Sequence, residues 1–483
     1  QQLDSANGMV TLPSQLQIEK DRPMGAYEPS GSVGSIGYIR NGKPIDSKRK
    51  KHHVDDFLPL IGGMSRKVPA LTEDEILEEH YEKIPRDKNN LAHVFLMRTE
   101  KLELNKFHAP MVDQLLPIAA EMGQYYRNKF GQIKPLQLLS IADSVRTTYQ
   151  SNKIKTDTSA GVLYLMTDNI RTKDQLIQDE RIVHDKTLKW TEDQWAYAAE
   201  GNRISFPADA NYKSEVLPPE KCWKKRVFFN VPVPTIINLK RFLAPMHHLF
   251  AKHFEHSPYV FSANPETDWK IIFRKLTENA WNFCSLDASA YDMSVPGAVI
   301  KSLAPLIASF YETKPGNTLY TRIETMLEEV AFMPLIFGHS LVTTEGGMVS
   351  GCWGTDIIDG MAFDLMLANA WIIITQTTVV DYFKFVEKSI AGDDLVMTIA
   401  DEWVEVFNGE SIAQVFKEYY GVKITPSADK AGNIQKYTGW EEATFCSRSF
   451  VPHPDAPSLI IPKLKESAIT SALEWSNDPT PHS

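Results

Sequence analysis

Lys384 to Ala400 reads KFVEKSIAGDDLVMTIA. Phe385, Val386 and Ile390, then Leu395, Val396, Met397 and Ile399, make two short apolar or alternating runs, and Gly392-Asp393-Asp394 sits at the reversal between them. That is the pattern of a β-hairpin. Two adjacent carboxylates at a turn repel each other and are poor turn chemistry by themselves. A bound divalent cation removes the objection, because hard oxygen ligands suit Mg²⁺. A merely solvated Gly-Asp turn has the same letters, so the reading depends on what lies upstream.

Upstream, Cys284 to Ser294 reads CSLDASAYDMS. Trp281 to Leu286, WNFCSL, predicts a buried strand that delivers Asp287 at its end, and Asp292 follows five residues later. A carboxylate leaving one strand and a carboxylate at a hairpin beside it can share a pair of metal ions. Two metals about 4 Å apart clamp the attacking and leaving oxygens of an in-line phosphoryl displacement. Between these stretches lies Gly346 to Leu365, GGMVSGCWGTDIIDGMAFDL. Gly346, Gly347 and Gly351 suit a flexible loop, Ser350 supplies a hydroxyl, and a helix pattern follows. Thr355 and Asp359 are four apart and share one helix face.

DxxxxD, SGxxxT and GDD, in that order, resemble motifs A, B and C of the palm of viral RNA-dependent RNA polymerases. Pro426 to Gly432 (PSADKAG), Trp440 to Phe450 (WEEATFCSRSF) and Glu474 to Asp478 (EWSND) are similar to motif D, motif E and the early thumb of the picornavirus-like supergroup. Lys224 to Pro232, KKRVFFNVP, resembles motif F, and Asp157 to Gly161 resembles the TSAG loop of the fingers. The match covers roughly Asp157 to Asp478. Asp359 stands where picornavirus enzymes carry Asn and partitivirus-type enzymes carry Asp, so a picobirnavirus- or partitivirus-type enzyme is also open.

The resemblance implies an α+β right-hand fold, with an antiparallel palm sheet backed by helices. Residues 1–110 would bridge fingers and thumb, 111–275 form the fingers, and 276–312 the palm with motif A. Residues 313–344 would be a fingers insertion, 345–440 the palm with motifs B, C and D, and 441–483 motif E and the start of the thumb. A family-type thumb is longer, so it is either reduced here or continues beyond Ser483.

Composition sets the bounds. The 483 residues suffice for two or three domains or one multi-lobed enzyme, and 43% hydrophobic with 23% charged residues is globular. A net charge of −10 argues against a nucleic-acid-coating protein but not against an enzyme with a local basic channel. Cys222, Cys284, Cys352 and Cys446 are scattered without zinc-type spacing and read as reduced thiols. No secretory signal opens the chain. Phe363 to Val380 is the most apolar segment, but Asp364, Asn369 and Gln376 interrupt it, so it reads as a buried helix rather than a membrane span.

Along the chain, Gln1 to about Leu71 is rich in Gly, Pro, Ser and charge, and Ser47 to His53 is a basic run. Thr72 opens a helix with a capping box. Leu115–Phe130, Pro135–Gln150, Val299–Tyr311 and Tyr320–Phe332 read as helices, and a further helix around Ile412 to Tyr419 ends at Gly421. Val227 to Val231 reads as a strand led by basic residues.

The chemistry implied is template-directed attack of an RNA 3′-hydroxyl on the α-phosphate of an NTP. Asp287 and Asp393 would bind two Mg²⁺ ions, for which Mn²⁺ can substitute, with Asp394 as an accessory ligand or a tuning group. Arg226 and Lys225 would neutralise triphosphate charge. Lys430 would protonate the leaving pyrophosphate. Ser350, Gly351 and Thr355 would hold the templating region and ribose, and Asp292 with Asp359 would read the 2′-hydroxyl. Trp353 reads as a packing anchor. Implied partners are template and nascent RNA, NTPs, and a viral capsid or priming protein. The implied location is the host cytoplasm, in a replication complex or inside the virion. A reverse transcriptase and a non-catalytic RNA-binding protein on a decayed polymerase fold are the rivals; the first lacks a reason for SGxxxT, and the second a reason to keep all three aspartates.

Overall fold

The structure is a computed structural model that describes residues 2–5, 8–21, 34–39, 52–53, 68–69, 109–221 and 226–476. The helix expected from Thr72, most of the basic run from Ser47, Lys224, Lys225, Cys222 and the Asn477-Asp478 end of the last motif lie outside these residues.

Four strands make the central sheet: β1 (Asn282–Ala288), β2 (Val386–Ala391), β3 (Asp394–Ile399) and β4 (Ile424–Pro426). Their spatial order is β2-β3-β1-β4, and the pairings are antiparallel. β3 is central and covered on both faces, which is why it reads as a nearly continuous apolar run. Its alternation still sorts two cores. Leu395, Met397 and Ile399 join the main cluster, with Cys284 and Leu286 of β1. Val396 and Phe283 instead meet Trp269, Phe445 and Phe450 in a second cluster.

Five helices matter to the site: α1 (Ala109–Lys129), α2 (Val233–Lys252), α3 (Pro265–Asn279), α4 (Thr355–Thr375) and α5 (Val379–Phe385). α4 is long and apolar enough to cross a membrane by composition, but 83% of its apolar window is buried inside the fold. A second sheet runs in the order Val227–Asn230, Ala208–Tyr212, Leu335–Phe337, Ser340–Thr343, Gly34–Ile39, Ile18–Glu19. It joins chain from before and after β1 with N-terminal strands. N-terminal His52–His53 also pairs with Trp475–Ser476 at the other end of the chain.

Two expected helices are shorter than their patterns. In Pro135–Gln150 only Ile141–Val145 is helical, because the amides of Leu136 and Leu139 donate to Phe310 and Arg241 of other elements. Ser140 caps the short turn, and Arg146 leaves it extended. Val299–Tyr311 is two helices, Gly297–Lys301 and Ala304–Phe310, parted at Ser302-Leu303 just before Pro305, which has no amide hydrogen to continue the ladder. The helix Gly409–Val415 runs into a π turn over Phe416–Tyr420 and stops at Gly421 with φ +67°.

One buried polar cluster ties these elements together. Asp364 on α4 accepts hydrogen bonds from Tyr126 of α1 at 2.5 Å, Tyr259 at 3.0 Å and Tyr382 of α5 at 2.8 Å. Lys388 of β2 places Nζ 3.4 Å from the same carboxylate and 4.1 Å from the Tyr382 ring centroid. The Asp364 and Lys388 side chains are 0% and 4% exposed. Such a pair gains little over an apolar core, but removing one member strands the other without water. Asp364→Ala should therefore lower unfolding free energy by about 3–5 kcal/mol in urea titration. Asp364→Asn with Lys388→Met should recover a large part of that loss. An Asp364→Ala midpoint equal to that of the parent protein would show that the cluster contributes nothing.

Candidate active site

The antiparallel register of β1 and β3 sets Asp287 directly opposite Asp394, and directly opposed residues share a face. β2 and β3 are joined through Gly392-Asp393, with Ala391 paired to Asp394. Gly392 takes φ +64°, which a two-residue hairpin loop needs at its first position. The Ala288 amide donates to the Asp393 carbonyl at 3.3 Å, so the loop is pinned beside the end of β1.

The carboxylates differ in their partners. Asp287 is buried at 6% exposure, and its Oδ2 receives no hydrogen bond. The partner of that oxygen is the ammonium of Lys430, 2.5 Å away in an ion pair. Burial, then the Asp287 charge, pushes Asp393 up to about 6. Burial likewise pushes Asp394 up to about 6. Asp394 has donors of its own: the Cys446 amide at 2.8 Å and the Ser427 hydroxyl at 3.2 Å. Asp287 thus relies on the exposed Lys430 ammonium, whereas Asp394, bonded to Ser427 and Cys446, couples the hairpin to the segments that follow it.

Asp292 lies in the short helix Tyr291–Ser294, which opens at Ala290 in the left-handed region with φ +50°. Its carbonyl accepts from the Met348 amide at 2.8 Å, and the Val295 carbonyl accepts from Gly347 at 2.8 Å. The glycine-rich loop before α4 is therefore stitched to the segment after β1. On its other side, the Ser350 carbonyl accepts from the Phe229 amide at 2.9 Å. Gly351 sits at φ +123°, and a Cβ there would lie 2.0 Å from the Phe229 carbonyl oxygen. Only glycine allows this approach, and the approach holds the Val227–Asn230 strand against the loop.

α4 carries buried polar groups at Asp359, Asp364 and Asn369. Asp364 has its three tyrosines, and Asn369 donates to Tyr420 at 2.6 Å while accepting from Gln114 at 3.1 Å. Asp359 differs: its Oδ1 is buried with no hydrogen-bond partner. Burial, then the charges of Asp393 and Asp292, drives its pKa well above the usual carboxylate range. The nearest preceding hydroxyls in the sequence that could serve it are those of Thr355, four residues away on the same helix face, and Ser350. In the structure the Thr355 hydroxyl instead donates to the Cys352 carbonyl at 2.9 Å, and the Ser350 Oγ is itself buried without a partner.

Arg226 stands at the entry to its strand, with its side chain 59% exposed and both Nε and backbone N–H donating to Glu215 at 2.6 Å. Glu215 was not singled out from sequence. Its signal was weak, because it faces Arg226 only through the register that pairs Tyr212 with Val227. Ser427 and Cys446 were inside quoted motifs, yet their bonds to Asp394 depend on a fold-back that no spacing reveals. Trp353 packs partly buried against the main core, with Lys240 Nζ 5.8 Å from its ring centroid, as expected of an anchor. Among the described cysteines, Cys284, Cys352 and Cys446 are free thiols, and burial pushes Cys284 and Cys446 up to about 12.

A family profile described as viral RNA-dependent RNA polymerase matches residues 75–483. The genome polyprotein of Human klassevirus 1 is 26% identical over 369 residues, 74% of this chain and 14% of that polyprotein. That of Human rhinovirus 3 is 26% identical over 338 residues, 68% of this chain and 14% of the polyprotein. The chain thus spans about a seventh of these relatives' length. The solved structure of Sicinivirus 3Dpol RNA dependent RNA polymerase superposes with a TM-score of 0.71 at 16% identity, covering 93% of this chain and 88% of that one, which shows the right-hand fold. With the motif order and the sheet geometry, these matches lead to one conclusion: the chain belongs to the viral RNA-dependent RNA polymerase family, of picornavirus-like type, whose activity is RNA-templated RNA synthesis.

Proposed function

We propose that this chain joins an NTP to an RNA 3′-hydroxyl on an RNA template, releasing pyrophosphate, at the end of β1 and the β2–β3 loop. The observation that carries the reading is the pair Asp287 and Asp393, in which burial and the Asp287 charge resist ionisation of Asp393 while a lysine ammonium sits on Asp287. Such a site favours a divalent cation over water. Among the described residues, no three His, Cys, Asp or Glu side chains form a ready-made cage. That suits Mg²⁺, which is commonly held by one or two carboxylates together with substrate phosphates. Asp287 and Asp393 would hold two such ions, or Mn²⁺, with Asp394 steadying the loop through Ser427 and Cys446. The ions, when bound, supply Lewis-acid stabilisation of the attacking and leaving oxygens.

The protein's own groups do the rest. Arg226, steered by Glu215, and Lys225 neutralise the triphosphate. Lys430 gives a proton to the departing pyrophosphate oxygen. Ser350, Gly351 and Thr355 shape the loop over which template and ribose lie. Burial and the neighbouring carboxylates favour the protonated form of Asp359, which can donate a hydrogen bond, much as an amide would. A ribose 2′-hydroxyl can then donate to Asp292 and accept from Asp359, which one hydroxyl can do at once. The partners of this reading are RNA, NTPs and a priming or capsid protein; its setting is the host cytoplasm, in a replication complex or in the virion. Residues 1–110 are read as the fingers-to-thumb bridge; within them, the described strand Gly34–Ile39 pairs with Ser340–Thr343 and His52–His53 pairs with Trp475–Ser476, which supports the reading.

Incorporation of labelled NTPs against dNTPs on a homopolymer RNA template tests the reading. Asp287→Ala and Asp393→Ala should each lower NTP incorporation by several orders of magnitude with template affinity little changed. Near-normal turnover in either would sink the assignment.

Lys430→Leu should slow single-turnover incorporation about 10²–10⁴-fold with apparent NTP affinity nearly unchanged. Equal rates with chemistry limiting would make Lys430 a surface charge.

Asp292→Ala should reduce NTP over dNTP preference roughly ten- to a hundredfold. Asp359→Asn should leave synthesis largely intact. Parent discrimination should weaken as rising pH ionises Asp359, and the Asn variant should lose that dependence. A parent ratio flat with pH contradicts the protonated-acid role.

Stability gives a fourth check. The folded protein holds protons on Asp393 and Asp394 up to about pH 6 that the unfolded chain releases near 4. Without metal, their contribution to stability therefore falls as pH rises through that window. Millimolar Mg²⁺ should raise the melting temperature clearly at pH 7.5 and little at pH 5. Equal shifts at both pH values contradict cation binding at these groups.

A further inference from the structure

The contact between Lys430 and Asp287 links two parts that the proposed chemistry treats separately. Lys430 lies in the segment from Ser427 to Thr438, which is exposed over most of its length. Asp429 makes a tight turn there: its carbonyl accepts from Gly432 at 2.9 Å and its Oδ1 from Ala431 at 3.0 Å, so that Lys430 is presented at the turn. The ends of the segment are anchored. Thr438 exchanges backbone hydrogen bonds with Phe283 at 3.0 and 2.8 Å. Lys465 donates to the carbonyls of Ser427 and Ala428, each at 3.2 Å. Beneath the segment lies a cavity of about 550 Å³, bounded by Cys284 and Ser285 of β1 and by Asp429, Gly432 and Asn433 of the segment itself. Towards Thr438 the segment is held as well, with Ile434 packed on the main core and the Lys436 carbonyl accepting from the Gly409 amide at 2.8 Å, so the part with room below is the turn from Asp429 to Asn433. Its link to the carboxylate cluster is the Lys430 ammonium on Asp287 Oδ2, the oxygen that nothing else bonds.

We propose that Lys430 is a built-in competitor for the divalent cation: it holds Asp287 until a cation binds, and cation binding releases it together with its loop. An ammonium and a divalent ion on the same carboxylate oxygen repel each other at a few ångströms, so occupancy by one disfavours the other. The ion pair gives the carboxylate cluster a positive partner, and it parks the loop against the site. Once displaced, the same lysine is free to reach the triphosphate, which orders the steps: cation first, proton donor second. This rests on the two-cation reading of Asp287 and Asp393 above.

The test is Mn²⁺ binding to the full chain without RNA or nucleotide, followed by the electron paramagnetic resonance signal of free Mn²⁺. Lys430→Met should bind Mn²⁺ about tenfold more tightly than the parent, the size expected for losing a charge-assisted contact. Lys465→Met removes an equal charge beside the same segment without touching Asp287, and should change the affinity less than twofold. Amide hydrogen exchange over residues 428–433 should rise on adding Mn²⁺ to the parent, and should already be high and insensitive to Mn²⁺ in Lys430→Met. Equal affinities for the parent and Lys430→Met, or equal gains from both lysine variants, overturn the competition while leaving the metal site standing. Binding by neither the parent nor Lys430→Met overturns both readings.

Discussion

The pairing of Asn282–Ala288 with Asp394–Ile399 decides where every charge of the site lies. Its register places Asp287 opposite Asp394 and leaves Asp393 on the loop beyond the last pair. A slip of one residue would move Asp287 to the other face of the sheet and exchange the two cores that Met397 and Val396 serve. The hydrophobic effect thus enforces the electrostatics. Apolar side chains that must be buried on their own faces carry the carboxylates to one edge, where they repel.

That repulsion is offset in different ways along the same fold. Asp394 is satisfied by Ser427 and Cys446, Asp364 by three tyrosines and Lys388, and Asp287 by Lys430. Asp359 has no such help at Oδ1 from the described residues, and burial among like charges drives its pKa well above the usual carboxylate range. The satisfied groups are structural, in the sense that they tie α1, α4, α5 and β2 together or hold the hairpin. The group left short of a partner and the group held only by an exposed lysine are the ones to which the proposed reaction assigns the substrate and the cations.

Close backbone approach is the second device. The glycine-rich loop before α4 is caught between the Asp292 and Val295 carbonyls on one side and Phe229 on the other. Gly351 makes that possible, since any side chain there would strike the Phe229 carbonyl. The loop consequently joins the strand behind Arg226 to the segment carrying Asp292. A shift in either is felt at both, which is a useful property where triphosphate and ribose must be held together.

Much of this was legible in the chain. The hairpin, the strand into Asp287 and the helix from Thr355 follow from local alternation, a turn glycine and a long apolar run, which are short-range properties. The order of the motifs identified the family, because many separate spacings agreed. Interruptions such as the break before Pro305 were written locally as well, though a periodic pattern masked them. What sequence could not decide was which charges face each other. Glu215 under Arg226, Cys446 on Asp394 and Lys430 on Asp287 join residues that only the fold brings together. Even the role of Asp359 turned on this: its spacing from Thr355 suggested a hydroxyl partner, whereas the helix spends that hydroxyl on Cys352 and leaves the acid buried among like charges. Local pattern determines which elements form, but electrostatics depends on distance and burial, and those exist only once the elements are packed.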